Sequence, residues 1–321
     1  MPSNLQRGRR LYAYIAVLVY AAIIGLSFMF AKVALKYASP IDTLALRFTL
    51  SFAGFVVLVA IRVFRVSLKG KPWPRLLFLA LLYPLGFFIL QTFGLKHASS
   101  AEGGIIFATT PILTALLAGM FLKESTTLRQ KLSIVVSVFG VVLIFVMQGT
   151  GIRLTNVTGI SLLALSCLTS AGYVVLSRYL LRTFTPSEVT SFMMAIGFVT
   201  FWAASLIDHA SNGTMNRILD PLSHTEFVWS ILYLGILASL VTAFTSSYAL
   251  TKLEASKISV FSNLSTVISI GAGAFILGET VTIYHLIGSV LIIAGVIGTN
   301  RKRKARQVNL VPSIRTTQAE G

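Results

Sequence analysis

The residues of this chain that could do chemistry favour binding over catalysis. There is one cysteine, Cys167, and it lies among apolar residues, while the four histidines show no spacing typical of metal ligands. An enzyme would need a nucleophile with a base, or a set of metal ligands, and neither pattern is present. The sequence therefore predicts no enzyme, no metal site and no cofactor.

Hydroxyl, amide and aromatic side chains instead recur at helical spacing within long apolar runs. Serine, threonine and asparagine follow the i, i+3, i+4, i+7 pattern of one helix face between residues 259 and 269, and five other runs carry similar stripes. Polar groups inside a membrane are costly unless they face protein or water, so such stripes are typical of a cavity wall. Close packing between helices is the alternative. The predicted substrate-binding residues are Tyr20, Phe28, Tyr83, Gln91, Thr110, Tyr173, Ser246, Asn263 and Thr266.

A few charged residues and prolines add to this prediction. Lys32 is expected to attract a substrate carboxylate, although snorkelling to the membrane surface or pairing with Asp42 would explain both Lys32 and Arg47. Pro84 and Pro111 are predicted to kink their helices and to act as hinges, with a static kink as the alternative. No acidic residue lies near the middle of a predicted span, which favours a neutral or zwitterionic substrate over a cation.

Membrane-spanning helices must position these residues. The chain of 321 residues is 55% apolar and 12% charged, whereas soluble domains contain about 25% charged residues. This composition excludes an ordinary soluble enzyme, a disordered chain and a disulfide scaffold. A spanning helix needs about 20 apolar residues, and we predict ten spans at residues 12–35, 43–62, 74–95, 101–122, 130–148, 157–180, 188–208, 227–250, 257–277 and 282–300.

The distribution of lysine and arginine predicts how the spans are oriented. With the N-terminus in the cytoplasm, 20 basic residues fall on the cytoplasmic side and 4 on the other, which agrees with the resistance of these residues to translocation. Both termini are therefore predicted to be cytoplasmic. The net charge of +17 includes a basic run from Arg301 to Arg306 beside the last span, and we interpret this run as an anchor on lipid headgroups and not as a nucleic-acid site.

The two halves of the chain repeat each other. A shift of 155 residues places Glu124 on Glu279, and a shift of 146 places Pro40 on Pro186. Five spans per half is an odd number, so the second half must enter the membrane from the opposite side. We predict a cytoplasmic N-terminus at residues 1–11, repeats at 12–148 and 157–300, and a basic cytoplasmic tail at 301–321. The small-residue face of spans five and ten is a candidate surface for a homodimer.

Several short motifs resemble a known family over about residues 12 to 300. They are Lys32 closing the first span, Pro40 with Arg47-Phe48, Ala98-Ser99-Ser100-Ala101 leading into Thr110-Pro111, and a glutamate ending each repeat. The sequence resembles ten-span EamA-type transporters of the drug/metabolite transporter superfamily. This resemblance implies an exporter of the bacterial cytoplasmic membrane whose cavity is lined mainly by spans one, three, four, six, eight and nine.

The predicted function is export of small metabolites, such as amino acids, by alternating access through a central cavity. The expected partners are the small-molecule substrate and membrane lipid, without nucleic acid. Proton-coupled efflux of drugs or toxic compounds is the alternative. A channel is a further alternative, which is less favoured because the sequence shows no filter motif or charged ring.

Overall fold

The computed structural model describes residues 4–97, 106–124, 126–147, 157–277 and 281–300, and these ranges are helical with no strand. Within them we number the helices in chain order: α1 Asn4–Ala34, α2 Pro40–Ala60, α3 Pro74–Ala80 continued by Leu81–Gly86 and Phe87–His97, α4 Thr110–Leu122, α5 Leu128–Met147, α6 Val157–Leu180, α7 Pro186–Asn212, α8 Thr225–Leu232 continued by Tyr233–Val241 and Thr242–Leu250, α9 Ala255–Phe261 and Leu264–Leu277, and α10 Ile283–Asn300.

The helices have the length and composition of membrane spans. In the described ranges, five stretches are long and apolar enough to cross a membrane, namely Pro40–Ala60, Pro74–Gly94, Val157–Leu180, Pro186–Asn212 and Thr225–Leu250. Shorter apolar helical stretches cover Leu11–Ser27, Thr110–Leu122 and Ile283–Thr299. The prediction of an all-α membrane protein is confirmed, while the total of ten spans and the side of the termini stay predictions.

Two helices that the repeat relates to each other begin in the same way. Ser39 caps α2, and its Oγ accepts a hydrogen bond of 3.1 Å from the backbone N–H of Asp42. Thr185 caps α7 through a capping box with Glu188. A proline follows the cap in both helices, where its missing N–H is not needed. The same start signal therefore occurs in both halves.

The backbone also departs from the α-helix at corresponding places in the two halves. A π-helical segment, Leu81–Gly86, interrupts α3, and another, Tyr233–Val241, interrupts α8. Turns at residues 108–109 and 262–263 precede Thr110 in α4 and separate the two parts of α9. Irregular backbone at membrane depth is tolerated where it is buried in protein or lines a cavity, and discontinuous helices at repeat-related positions are typical of transporters.

Helices α5 and α10 form a tight pair inside the chain. A Cβ atom on Gly140 would lie 2.7 Å from the carbonyl oxygen of Gly288, and one on Gly295 would lie 2.5 Å from the carbonyl oxygen of Ser133. The small-residue face for which we predicted a homodimer contact therefore packs these two helices against each other. The opposite faces of both helices carry exposed large apolar residues such as Phe139 and Val290, as expected for contact with lipid.

The buried apolar residues form two large clusters and two small ones. One large cluster joins α1, α4, α6, α8 and α9 with the α5–α10 pair, at the end where α4, α6 and α8 finish. The other large cluster runs along the bundle and joins α2, α3, α6, α7 and α8. Toward the opposite end of the bundle the two small clusters are separate, because one joins α1, α2 and α8 and the other joins α6 with the residues before α4. We call the end with the first large cluster the joined end and the opposite end the divided end.

Candidate substrate site

A cluster of aromatic rings lies between α3 and α6. The ring of Tyr83 stacks on that of Tyr173 with centroids 4.6 Å apart, and it also contacts Phe87 at 5.3 Å and Phe88 at 5.2 Å. Tyr20 lies within electrostatic range of both tyrosines. Two of the predicted substrate-binding residues, Tyr83 and Tyr173, therefore stack on each other, and a third, Tyr20 of α1, lies in their surroundings; we call these three residues the tyrosine cluster.

The break in α3 aims Tyr83 into this cluster. Tyr83 has the extended dihedral angles φ −152° and ψ 122° inside the π segment, so the helix changes direction there and continues from Phe87. Gly86 and Thr169 of α6 lie close together, because a Cβ on the glycine would be 3.3 Å from Cγ2 of the threonine. The change of direction thus occurs against α6, the helix that carries Tyr173. Pro84 follows Tyr83 directly, and its predicted hinge role stays a prediction.

Polar groups around the tyrosine cluster are left without partners. The buried Oγ atoms of Ser177 and Ser247 lie beside the Tyr173 hydroxyl but form no hydrogen bond of normal geometry with any described residue. The hydroxyls of Tyr20 and Tyr83 likewise form no hydrogen bond within the described ranges. Buried polar groups are normally paired with protein or water, so this arrangement is suited to an incoming polar ligand.

Arg47 reaches the same region from α2. Its position, seven residues after the start of the helix, corresponds to a depth of about 10 Å along the helix axis. Its Nε donates a hydrogen bond of 2.6 Å to Oγ of Ser239, and one terminal nitrogen donates a bond of 3.0 Å to the carbonyl oxygen of Ala238, both in the π segment of α8. The guanidinium also lies 4.7 Å from the centroid of the Phe88 ring.

The pairing of Arg47 with Asp42, one of the alternatives in the sequence analysis, is wrong. Asp42 accepts hydrogen bonds from Ser39 and Ser205 and pairs with His209 at 3.2 Å, so it is not the partner of the arginine. The hydrogen bonds of Arg47 to α8 hold its side chain against that helix, while snorkelling stays untested. The signal that could have identified this role was a charge two helical turns inside an apolar span.

The remaining predicted residues are more scattered. The amide of Asn263 donates a hydrogen bond of 3.2 Å to Ser137 of α5 and is buried, so it is already partnered within the helix packing. Gln91 is half-buried on α3 with no hydrogen bond in the described ranges, Ser246 and Thr110 are buried, and Thr266 is half-buried. The side chains of Phe28 and Lys32 lie outside the described residues. All these assignments stay predictions.

Pro111 lies in the first turn of α4, which begins at Thr110. The turn at residues 108–109 lies directly before this helix and interrupts the predicted span 101–122, because residues 106–107 are helical. The helix is thus interrupted beside Pro111, and the predicted hinge role of this residue stays a prediction.

The carboxylates of the described ranges lie near helix ends, away from the tyrosine cluster. Glu188 accepts bonds from Lys71, Ser67 and Thr185, and Glu124 accepts bonds from the start of α9. Two surface grooves lie elsewhere, one between α5 and α10 and the other among α1, α9 and α10, and their apolar linings face the surroundings of the bundle. Neither groove touches the tyrosine cluster.

Comparisons with known proteins identify the family. The EamA-like transporter family model matches residues 11–146 and again 157–301. The chain is 45% identical to "Uncharacterized transporter YcxC" of Bacillus subtilis over 90% of this chain and 92% of that protein. It is 27% identical to an "Uncharacterized transporter" of Archaeoglobus fulgidus, over 87% of this chain and 95% of that protein.

A solved crystal structure shares the fold, with a TM-score of 0.74 at 20% identity, over 92% of this chain and 96% of the other. The family match therefore agrees with the apolar helices and with the breaks that recur in the two halves. The chain belongs to the EamA-like transporter family and is a membrane transporter.

Proposed function

We propose that this protein exports a small neutral or zwitterionic metabolite, such as an amino acid, from a bacterial cell by alternating access. The substrate would bind between two inverted five-span halves, with both termini in the cytoplasm. The observation that carries this proposal is the tyrosine cluster, in which α3 and α6 bring aromatic faces together beside unpaired hydroxyls inside an apolar bundle.

The core packing supports alternating access. At the joined end a large apolar cluster holds α1, α4, α6, α8 and α9 together with the α5–α10 pair, whereas at the divided end separate small clusters hold α1, α2 and α8 and hold α6 with the residues before α4. The second large cluster joins α2, α3, α6, α7 and α8 along the bundle. Glu124 adds a polar contact at the joined end, where it accepts hydrogen bonds of 3.2 Å from Ala255 N–H and 3.4 Å from Ser256 Oγ and lies 3.9 Å from Arg178 Nε. We interpret the joined end as the closed side of the carrier, and the positive-inside topology assigns it to the cytoplasm.

The breaks in the helices supply places where the conformation can change. The π segments in α3 and α8 and the turns in α4 and α9 occur at repeat-related positions. In inverted-repeat transporters, exchange of the conformations of the two halves opens one side and closes the other. We propose that the four breaks serve this exchange, with Pro84 in the first of them.

Proton-coupled efflux of drugs is the second candidate function, and the described carboxylates argue against it. A carrier that binds a cationic drug or a proton at membrane depth normally uses an Asp or Glu there. In the described ranges the acidic residues lie at or near helix ends, and the charge that approaches the tyrosine cluster is the cation of Arg47.

Reconstituted proteoliposomes test the proposal. Uptake and counterflow of a labelled amino-acid mixture would be measured with and without an imposed proton gradient. Saturable counterflow without the gradient is the expected result. Flux that requires the gradient would favour proton-coupled efflux, and flux that never saturates would favour a channel.

A pair of matched variants tests the site. Tyr173→Phe removes one hydroxyl from the tyrosine cluster, and Tyr179→Phe makes the same change six residues along α6 at a side chain that is 47% exposed. We expect Tyr173→Phe to raise the KM for counterflow about 5- to 10-fold, the effect of losing one hydrogen bond of about 1 kcal/mol, and Tyr179→Phe to leave it unchanged. Equal behaviour of the two variants would contradict the site.

A further inference from the structure

We propose that Arg47 binds a carboxylate group of the transported substrate, which narrows the neutral or zwitterionic metabolites of the proposed function to zwitterions that carry a carboxylate. This inference deepens the proposed function and rests on it.

The π segment of α8 holds the guanidinium in place. In a π-helix the hydrogen bonds run from i to i+5, and such segments occur frequently at functional sites. Arg47 donates to the carbonyl oxygen of Ala238 and to Oγ of Ser239 in this segment, while Ser51, one turn further along α2, donates to the carbonyl oxygen of Gly235 at 2.8 Å. The side chain is thus positioned by two hydrogen bonds and the neighbouring helix contact.

These contacts leave much of the guanidinium unused. The group has five N–H donors in a planar fork, and the described residues accept hydrogen bonds from two of its nitrogens. The aromatic ring of Phe88 covers the group at 4.7 Å but accepts no conventional hydrogen bond. Arg47 remains partly accessible and lies within electrostatic range of Tyr83. The unused donors are therefore available next to the tyrosine cluster.

The charge of Arg47 also lacks a carboxylate partner in the described part of the chain. Other acidic residues there are engaged elsewhere, for example Asp42 with His209, Glu188 with Lys71 and Glu254 with Lys257. A charged group inside a membrane protein is normally paired or faces water. A purely structural role would need only the two bonds to α8. A substrate carboxylate would supply the missing counter-charge through the fork that arginine offers to planar anions.

A second observation extends the site beyond the guanidinium. The fully buried Oγ atom of Ser247 has no partner in hydrogen-bonding geometry and lies beside Tyr173, which is itself 6% exposed. With its carboxylate on Arg47, a substrate would extend its apolar part along Tyr83 and Phe88, and the hydroxyls near Tyr173 could accept from an amino group. The site would thus suit an amino acid with an apolar or aromatic side chain.

Pairs of compounds that differ only in the carboxylate test this inference. Binding to the purified full-length protein would be measured by calorimetry for a panel of acids and their amides, including phenylacetate with phenylacetamide and L-phenylalanine with L-phenylalaninamide. We expect at least one acid in the panel to bind about 10- to 100-fold more tightly than its amide, because a hydrogen bond to a charged group contributes that much. Equal binding of every acid and its amide would overturn the inference.

Variants assign the preference to Arg47. Arg47→Gln should reduce the preference for acid over amide to less than about twofold, and Arg47→Lys should restore part of it, because lysine keeps the charge but not the planar fork. Arg75→Gln is the control, because Arg75 is exposed in the first turn of α3, and this variant should keep the full preference for acid over amide. A full preference in Arg47→Gln would refute the role of this residue.

A measurement on the unaltered protein remains informative if Arg47→Gln does not fold. Arginine modification by phenylglyoxal would be followed at the Arg47 peptide by mass spectrometry, with the Arg75 peptide as internal control. The preferred acid should protect Arg47, and its amide should not. Protection by neither compound, or by both equally, would overturn the inference.

The two proposals fail in different ways. Protection of Arg47 by acids without saturable counterflow would retain the anion site and refute the proposed carrier. Saturable counterflow of substrates that give no protection at Arg47 would retain the carrier and refute the anion site.

Discussion

Substitution of Gly140 by alanine tests the contact between α5 and α10 most directly. A Cβ atom on Gly140 would lie 2.7 Å from the carbonyl oxygen of Gly288, 2.9 Å from Cβ of Leu291 and 3.0 Å from the backbone nitrogen of Ile292. Two of these three neighbours are backbone atoms, which cannot move aside by changing rotamer. The helices must separate by several tenths of an ångström to admit the methyl group.

The magnitude follows from two opposing effects. Overpacking of a well-packed core costs about 1–3 kcal/mol, whereas alanine in place of glycine inside a helix stabilises by about 0.5–1 kcal/mol. Gly271→Ala is the matched control, because its Cβ would meet nothing within 4 Å. We therefore expect Gly140→Ala to be less stable than Gly271→Ala by about 1–3 kcal/mol, since the difference between the variants cancels the helix-propensity effect.

The free energy of unfolding would be measured by titration of dodecyl maltoside micelles with sodium dodecyl sulfate, followed by circular dichroism. Gly288→Ala disturbs the same helix contact from the α10 side, because its Cβ would collide with Ile144 Cγ1. The double variant should lose less than the sum of the single losses, because helices separated by the first methyl group leave room for the second. Equal stability of Gly140→Ala and Gly271→Ala would refute the close contact between the two helices.

Three further predictions concern polar contacts near the helix ends. Val17 is buried at the joined end, so Val17→Cys, made in a Cys167→Ala background, places a single buried thiol there. Glu124→Ala should raise the rate at which a maleimide labels this thiol about tenfold, because the hydrogen bonds to the Glu124 carboxylate are lost. An unchanged rate would show that Glu124 does not hold this end closed. Asp42→Ala should lower the free energy of unfolding by about 1–3 kcal/mol, since it leaves Ser205 and His209 without their buried acceptor, and a loss below about 0.5 kcal/mol would contradict this account. The hydrogen bond from the Tyr37 hydroxyl to Glu226, 2.9 Å long, raises the pKa of Tyr37 above its usual value of 10.0; its stabilising effect should be present below pH 10 and lost as the pH rises through the raised pKa, and a pH-dependent difference in unfolding between the wild type and Tyr37→Phe should disclose it.

The positions of the helices followed from the sequence because hydrophobic length and capping residues are local properties. The predicted span at residues 157–180 coincides with α6. Helices α2 and α7 begin at Pro40 and Pro186, three and two residues before the predicted spans at 43–62 and 188–208, because a capping residue followed by proline starts each helix. Local signals could not show that Pro111 begins a helix after a turn, because the same residues also fit a continuous apolar span.

The sequence predicted the kinds of side chain in the site better than it predicted which residues form it. Tyr20, Tyr83 and Tyr173 were selected as large amphipathic side chains on the expected cavity helices, and the rings of Tyr83 and Tyr173 stack on each other, with Tyr20 in their surroundings. Asn263 was selected for the same kind of reason, yet Ser137 of α5 satisfies its amide. Which polar group finds a partner depends on contacts between helices far apart in sequence, and periodicity along one helix carries no information about them.

The π segments have a consequence for mutational scanning of this protein. A π turn takes up about one residue more than an α turn, and one residue corresponds to about 100° of rotation around a helix axis. Face assignments made with a single periodicity therefore go out of phase between Pro74–Ala80 and Phe87–His97, and again between Thr225–Leu232 and Thr242–Leu250. A one-residue deletion within Leu81–Gly86 that restored the α-helix would rotate Gln91 away from its present face, whereas the same deletion near His97 would leave Gln91 in register. Insertions and deletions thus test the rotation of each helix about its own axis, which point substitutions leave unchanged.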